Sequence, residues 1–100
     1  MEIVISKSDK KNKKYDAVIH GTKTVSFGQK GASDYTKHKD KYRKERYIDR
    51  HPKNENWGAT GVKTAGFYSK HMLWNKPTTQ ASIADVNNNI KSLNVKIKKF

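Results

Sequence analysis

The stretch YDAVIHGTKTVSFG, Tyr15 to Gly28, decides the fold. Tyr15, Ala17 and Ile19 fall on one face of an extended chain, because side chains alternate with a period of two. Val25 and Phe27 do the same after a short connection containing Gly21. Two alternating runs around such a connection predict a β-hairpin.

Working outward, Ile3 to Ile5 is a β-branched apolar run and predicts a first strand. Between it and the hairpin, Ser6–Lys14 is a polar connection with five lysines, either a solvated loop or one that touches phosphate. Downstream, Gln29–Ser33 is an exit loop. Ser33 or Asp34 is then a natural N-cap for one basic helix over DYTKHKDKYRKERYIDR, Asp34 to Arg50, which Pro52 stops. Lys53–Lys63 is a loop rich in Asn and Gly. Its large apolar residue, Trp57, is either an anchor onto the core or a partner contact. Thr64 caps a second helix, AGFYSKHMLWN, with Phe67, His71 and Trp74 on one face. Ser82-Ile83-Ala84-Asp85 reads as a capping box for a third helix with an apolar stripe at Ile83, Val86, Ile90 and Leu93. The tail NVKIKKF alternates and reads as a last strand in preference to more helix. The predicted fold class is α+β. One domain over residues 1–100 has a short antiparallel sheet, made of the N-terminal strand, the hairpin and the C-terminal strand, covered by two to three helices. Phe27, Phe67, Trp74, Ile83 and Ile90 are the expected core.

The charge balance bears on function. The chain has 22 Lys+Arg against 9 Asp+Glu, a net charge of +13, and only 33% hydrophobic residues. That sign and size point to an anionic partner: nucleic acid first, an acidic protein surface second, anionic lipid third. On a continuous helix of about 100° per residue, Lys39, Arg43, Arg46 and Arg50 form one basic row. Lys37, Lys41 and Lys44 add field from the other side. Tyr35, His38 and Tyr42 lie beside the row. A cationic ridge next to an aromatic one suits phosphate backbone; the alternative is a solvated helix whose aromatics pack the core.

Enzymatic and metal chemistry find little support. With no cysteine, thiolate chemistry and Cys-type zinc sites are excluded. The four histidines, His20, His38, His51 and His71, show no metal-binding spacing, and no phosphate-loop, dinucleotide or nucleophile-elbow motif is present. His51 with Asn54, Glu55 and Asn56 faintly suggests a nuclease cluster, but without a second anchored His or a carboxylate pair. No apolar run is long enough for a bilayer, and MEIVISKSDKKNKK does not read as a secretory signal.

Several strings in the chain are distinctive together: SDYTKHKD (33–40), Arg43-Lys44-x-Arg46-Tyr47-Ile48-x-Arg50-His51, Glu55-x-Trp57, TAGF (64–67), LWNKPT (73–78) and Ala81-Ser82-Ile83. In these the chain, from about Tyr15 to Ile90, resembles an uncharacterised family of short basic proteins encoded by large double-stranded DNA viruses of algae and protists. The resemblance implies a viral origin and supplies no activity or catalytic residue. The expectation is a non-enzymatic basic protein, without cofactor or metal, of the virion or the host-cell interior and not secreted. It would bind nucleic acid, DNA ahead of RNA, through phosphate contacts by Lys37, Lys39, Lys41, Arg43, Lys44, Arg46 and Arg50. The rival is a minor capsid or cement protein docking the same face on acidic capsid proteins, with Trp57 as an adhesive residue.

Overall fold

A computed structural model describes residues 1–50 and 56–98. Strands β1 (Glu2–Lys7), β2 (Lys13–Ile19), β3 (Lys23–Gln29) and β4 (Asn94–Ile97) form one sheet in the order β3-β2-β1-β4. The hairpin is β2–β3, with Tyr15 opposite Phe27 and Ala17 opposite Val25. β1 pairs antiparallel to β2, Ile3 opposite Ile19 and Ile5 opposite Ala17. β4 pairs with β1 in parallel, Ile3 opposite Val95 and Ile5 opposite Ile97. The sheet is therefore mixed, where the sequence predicts an antiparallel one. The polar connection is also shorter than predicted, because Ser6, Lys7, Lys13 and Lys14 belong to strands.

This register places Ile3, Ile5, Ala17, Ile19, Val25, Phe27 and Val95 in the core. The other face is wetter, with Val18 exposed and the Ser26 hydroxyl donating to Asp16 Oδ1 at 2.7 Å. A sheet covered on one side is the usual antiparallel solution. The covering layer is α3 (Ala65–Tyr68), which widens into a π turn at Ser69–Leu73, and α4 (Thr79–Asn89). Val62, Phe67, Tyr68, Met72, Leu73, Ile83, Val86 and Leu93 complete the core. At Gly28, φ is +75°, and a Cβ would meet Leu73 Cδ1 at 2.9 Å, so glycine lets β3 approach the π turn. Asn87 covers the β4 edge: its side-chain N–H donates to the Val95 carbonyl at 3.0 Å and its Oδ1 accepts from the Val95 N–H at 2.8 Å.

Thr64 caps α3, accepting from the Phe67 N–H. α4 begins earlier than predicted, with Thr78 as N-cap accepting from the Ala81 N–H at 3.1 Å. Ser82 is buried inside that helix and accepts from the Lys76 N–H instead. Trp74 and Ile90 are half-buried and pack against the core rather than within it. The wide π turn carries Trp74 off the line of Phe67 and His71 and out toward the basic helix.

Candidate functional site

The predicted basic helix is two helices. α1 (Tyr35–His38) is capped by Asp34, whose carboxylate accepts from the Thr36 N–H at 2.9 Å and pairs with the Lys14 ammonium. Burial would raise the Asp34 carboxyl; the hydrogen bonds from Lys14 and Thr36 outweigh it and hold the pKa below the ordinary 3.8. Lys39 then turns into the left-handed region at φ 55°, which ends α1. Asp40 restarts the chain: its Oδ1 accepts from the Tyr42 N–H at 3.0 Å, at the start of α2 (Lys41–Arg50). Two aspartates six residues apart thus cap two successive helices. Pro52, the predicted stop, and His51, Asn54 and Glu55 of the nuclease-like cluster lie outside the described residues.

α2 buries none of its side chains. A column of rings joins it to the body. Tyr47 stacks on Trp74 with centroids 4.5 Å apart and planes 1° from parallel, and on Trp57 at 6.4 Å and 13°. His38 leans on Trp74 at 5.3 Å. The Trp57 loop is tied down further, because its carbonyl bonds His71 Nε2 at 2.8 Å and the Lys70 ammonium lies 5.6 Å over the indole. Burial pushes the His71 pKa below its ordinary 6.5, so Nε2–H of the neutral ring is the donor to that carbonyl.

Arg43, Arg46 and Arg50 are exposed, and with Tyr47 and Trp74 they line a pocket of about 280 Å³. Their spacing of three and four residues puts them on one side of α2. Three guanidinium groups, each a planar fork of donors, around the edges of a stacked ring pair can hold phosphate oxygens bidentately while the rings give an apolar wall. Arg46 also lies 5.8 Å over the ring of Tyr42. Among the described residues the lining contains no carboxylate.

The structure thus gathers three of the seven predicted cations in one place. Lys39 is exposed on the linker and does not extend the row, since the helix breaks there. Lys41 is exposed at the start of α2. Lys44 turns away, half-buried with its ammonium 5.2 Å over the Tyr35 ring, and desolvation lowers its pKa. Lys37, on α1, lines a different cavity with Lys7, Lys14, Tyr15, Lys30 and Gly31. Nor do Tyr35, His38 and Tyr42 form a ridge: Tyr35 is buried, His38 half-buried and Tyr42 exposed. Trp57 is half-buried and anchors its loop. Sequence reading missed Tyr47 and the place of Trp74, the two rings that turn a row of arginines into a pocket. Among the described residues no group of three or more His, Asp or Glu comes together to hold a metal ion, and no helix is long and apolar enough to cross a membrane.

Residues 3–51 match the model of a family of unknown function (DUF5754). That segment runs from β1 through α2 and includes all three arginines of the pocket. No curated protein and no solved structure matches the chain.

Proposed function

We propose that this protein binds nucleic acid through its phosphate backbone, without catalysis, as a virion- or genome-associated protein of the viral kind its sequence resembles. The carrying observation is the pocket in which Arg43, Arg46 and Arg50 surround Tyr47 and Trp74. A net charge of +13 supplies the long-range attraction, and the arginines supply the local grip. Contacts of this kind fix position without reading base sequence. The rival, docking on acidic capsid proteins, casts Trp57 as the adhesive residue. Its ring lies against Tyr47 and its carbonyl on His71, and this use within the chain favours the nucleic-acid reading.

The test is a salt titration of binding to random duplex DNA and to single-stranded RNA, with wild type and Arg43→Gln/Arg46→Gln. The variant should bind every sequence more weakly, and the slope of log K against log[salt] should flatten by roughly 0.9 per lost contact on duplex and about 0.7 on single strands. A folded variant with an unchanged slope would remove α2 from the interface. No measurable affinity of the wild type at about 0.15 M salt would favour the capsid reading.

A further inference from the structure

A second cavity, of about 260 Å³, opens where four chain segments meet: the end of β1 (Lys7), the start of β2 (Lys14 and Tyr15), the exit from β3 (Lys30 and Gly31) and α1 (Lys37). It shares no residue with the arginine pocket. Lys14 is already committed, its ammonium bonded to the Asp34 carboxylate and to the Ala32 carbonyl at 2.6 Å. Lys7, Lys30 and Lys37 are different. All three are exposed, and among the described residues none forms an ion pair and the lining carries no carboxylate.

The rim is built by backbone bonds rather than by chance proximity of long side chains. The Ser8 N–H donates to the Lys14 carbonyl at 3.1 Å, the Lys30 N–H to the Asn12 carbonyl at 3.0 Å, and the Ala32 N–H to the Gln29 carbonyl at 3.1 Å. Gly31, at φ +85°, has open space where a Cβ would stand, so an incoming group can reach the main chain there. Stacking of Tyr15 on Phe27 at 5.8 Å fixes the ring that walls the cavity. Like charges converging on one cavity repel each other, and a bound anion removes that repulsion. A single phosphate group, at about −1.5 to −2 near neutral pH, does not match three ammonium groups; a pair of linked phosphates does.

We propose that this cavity is a separate anion site for a ligand carrying a diphosphate group. The proposal goes beyond the nucleic-acid reading and does not depend on it. The source of the diphosphate, free or attached to a nucleoside, is set by the arms of the test.

The experiment titrates isotope-labelled full-length protein with inorganic pyrophosphate, with ADP and with orthophosphate, following amide resonances. Pyrophosphate should give saturable shifts centred on Gly31 and Ala32, and orthophosphate should bind more weakly. Lys7→Gln/Lys30→Gln/Lys37→Gln should weaken pyrophosphate binding about tenfold or more. Arg43→Gln/Arg46→Gln should leave it unchanged. Lys14 is kept, because its ion pair with Asp34 is structural, and the three exposed lysines can be changed without disturbing the core. Tighter binding of ADP than of pyrophosphate would assign a nucleotide, and equal binding a free diphosphate; both support the site. Shifts spread over every basic surface without saturation would overturn it. So would equal weakening by the arginine and the lysine variants. A wild-type protein that binds pyrophosphate but has no measurable affinity for duplex DNA would count only against the nucleic-acid reading.

Discussion

Helices α2 and α4 have nearly the same length, ten and eleven residues, and are held by opposite means. α4 sends Ser82, Ile83 and Val86 into the core and clips the edge of β4 through Asn87. α2 buries nothing and rests on stacked rings, Tyr47 against Trp74 and Trp57. The difference follows from sequence. Of the ten residues in KYRKERYIDR, seven are charged, and only Lys44, Tyr47 and Ile48, on one side, are even half-buried. A helix attached in this way keeps its cationic side in solvent, where it can meet a partner. The core cluster, meanwhile, contains none of its residues.

That contrast predicts very different costs for two aromatic deletions. Phe67→Ala removes a fully buried ring from the core and should cost about 3–5 kcal/mol, a large share of the stability of a domain this size. Tyr47→Ala removes a half-buried ring from the column and should cost only about 1–2 kcal/mol, while loosening α2 and weakening nucleic-acid binding. Denaturant unfolding of both variants checks this. Equal costs would make α2 part of the core and would end the contrast. The half-buried state of Trp74 also places its own deletion below Phe67→Ala, although periodicity alone puts the two rings on one face.

What was legible in the sequence was local. The alternation of Tyr15, Ala17, Ile19, Val25 and Phe27 gave the hairpin and its buried face, because strand period and burial say the same thing there. Thr64 was readable as a cap, and the first cap was narrowed to Ser33 or Asp34, of which the structure uses Asp34, because one side-chain oxygen and one nearby N–H suffice. The parallel pairing of β4 with β1 was not readable, since no local pattern names a partner some ninety residues away. The break at Lys39 lay hidden because helical periodicity runs through it undisturbed. Asp40, a strong capping residue amid lysines, was the available signal. The arginine pocket was half legible: the spacing of Arg43, Arg46 and Arg50 was plain, but Trp74 joins them only through tertiary packing. The lysine cavity draws on four segments, so only the fold could reveal it.

A smaller effect sits at the joint between the two regions. His71 is buried beside Phe67, with ring centroids 4.4 Å apart, and holds the Trp57 carbonyl. Its pKa is depressed by burial, so the unfolded chain takes up its proton at a higher pH than the folded one. The contribution is fully present above the unfolded value of 6.5 and is lost as pH falls through it toward the folded value. Tm should therefore be flat above about pH 7 and decline below it, and His71→Gln should flatten that decline. An unaltered pH profile in a folded His71→Gln protein would mean that His71 does not couple the Trp57 loop to the core through its charge.

The smallest expected change tests the break between the helices, and its sign decides the matter. Lys39 sits at φ 55° and ψ 28°, a conformation that costs a residue with a Cβ about 1–2 kcal/mol and glycine almost nothing. Glycine also loses more entropy on folding, so Lys39→Gly should gain only about 0.5 kcal/mol. Were the chain one continuous helix from Tyr35 to Arg50, the same substitution in a helix interior would instead cost about 1 kcal/mol. Denaturant midpoints of wild type and Lys39→Gly resolve a difference of sign. Binding makes the second check. Lys39 does not line the arginine pocket, so its loss should weaken duplex binding less than Arg43→Gln does. A destabilised Lys39→Gly protein that also binds as poorly as Arg43→Gln would restore the single helix with its four-residue basic row.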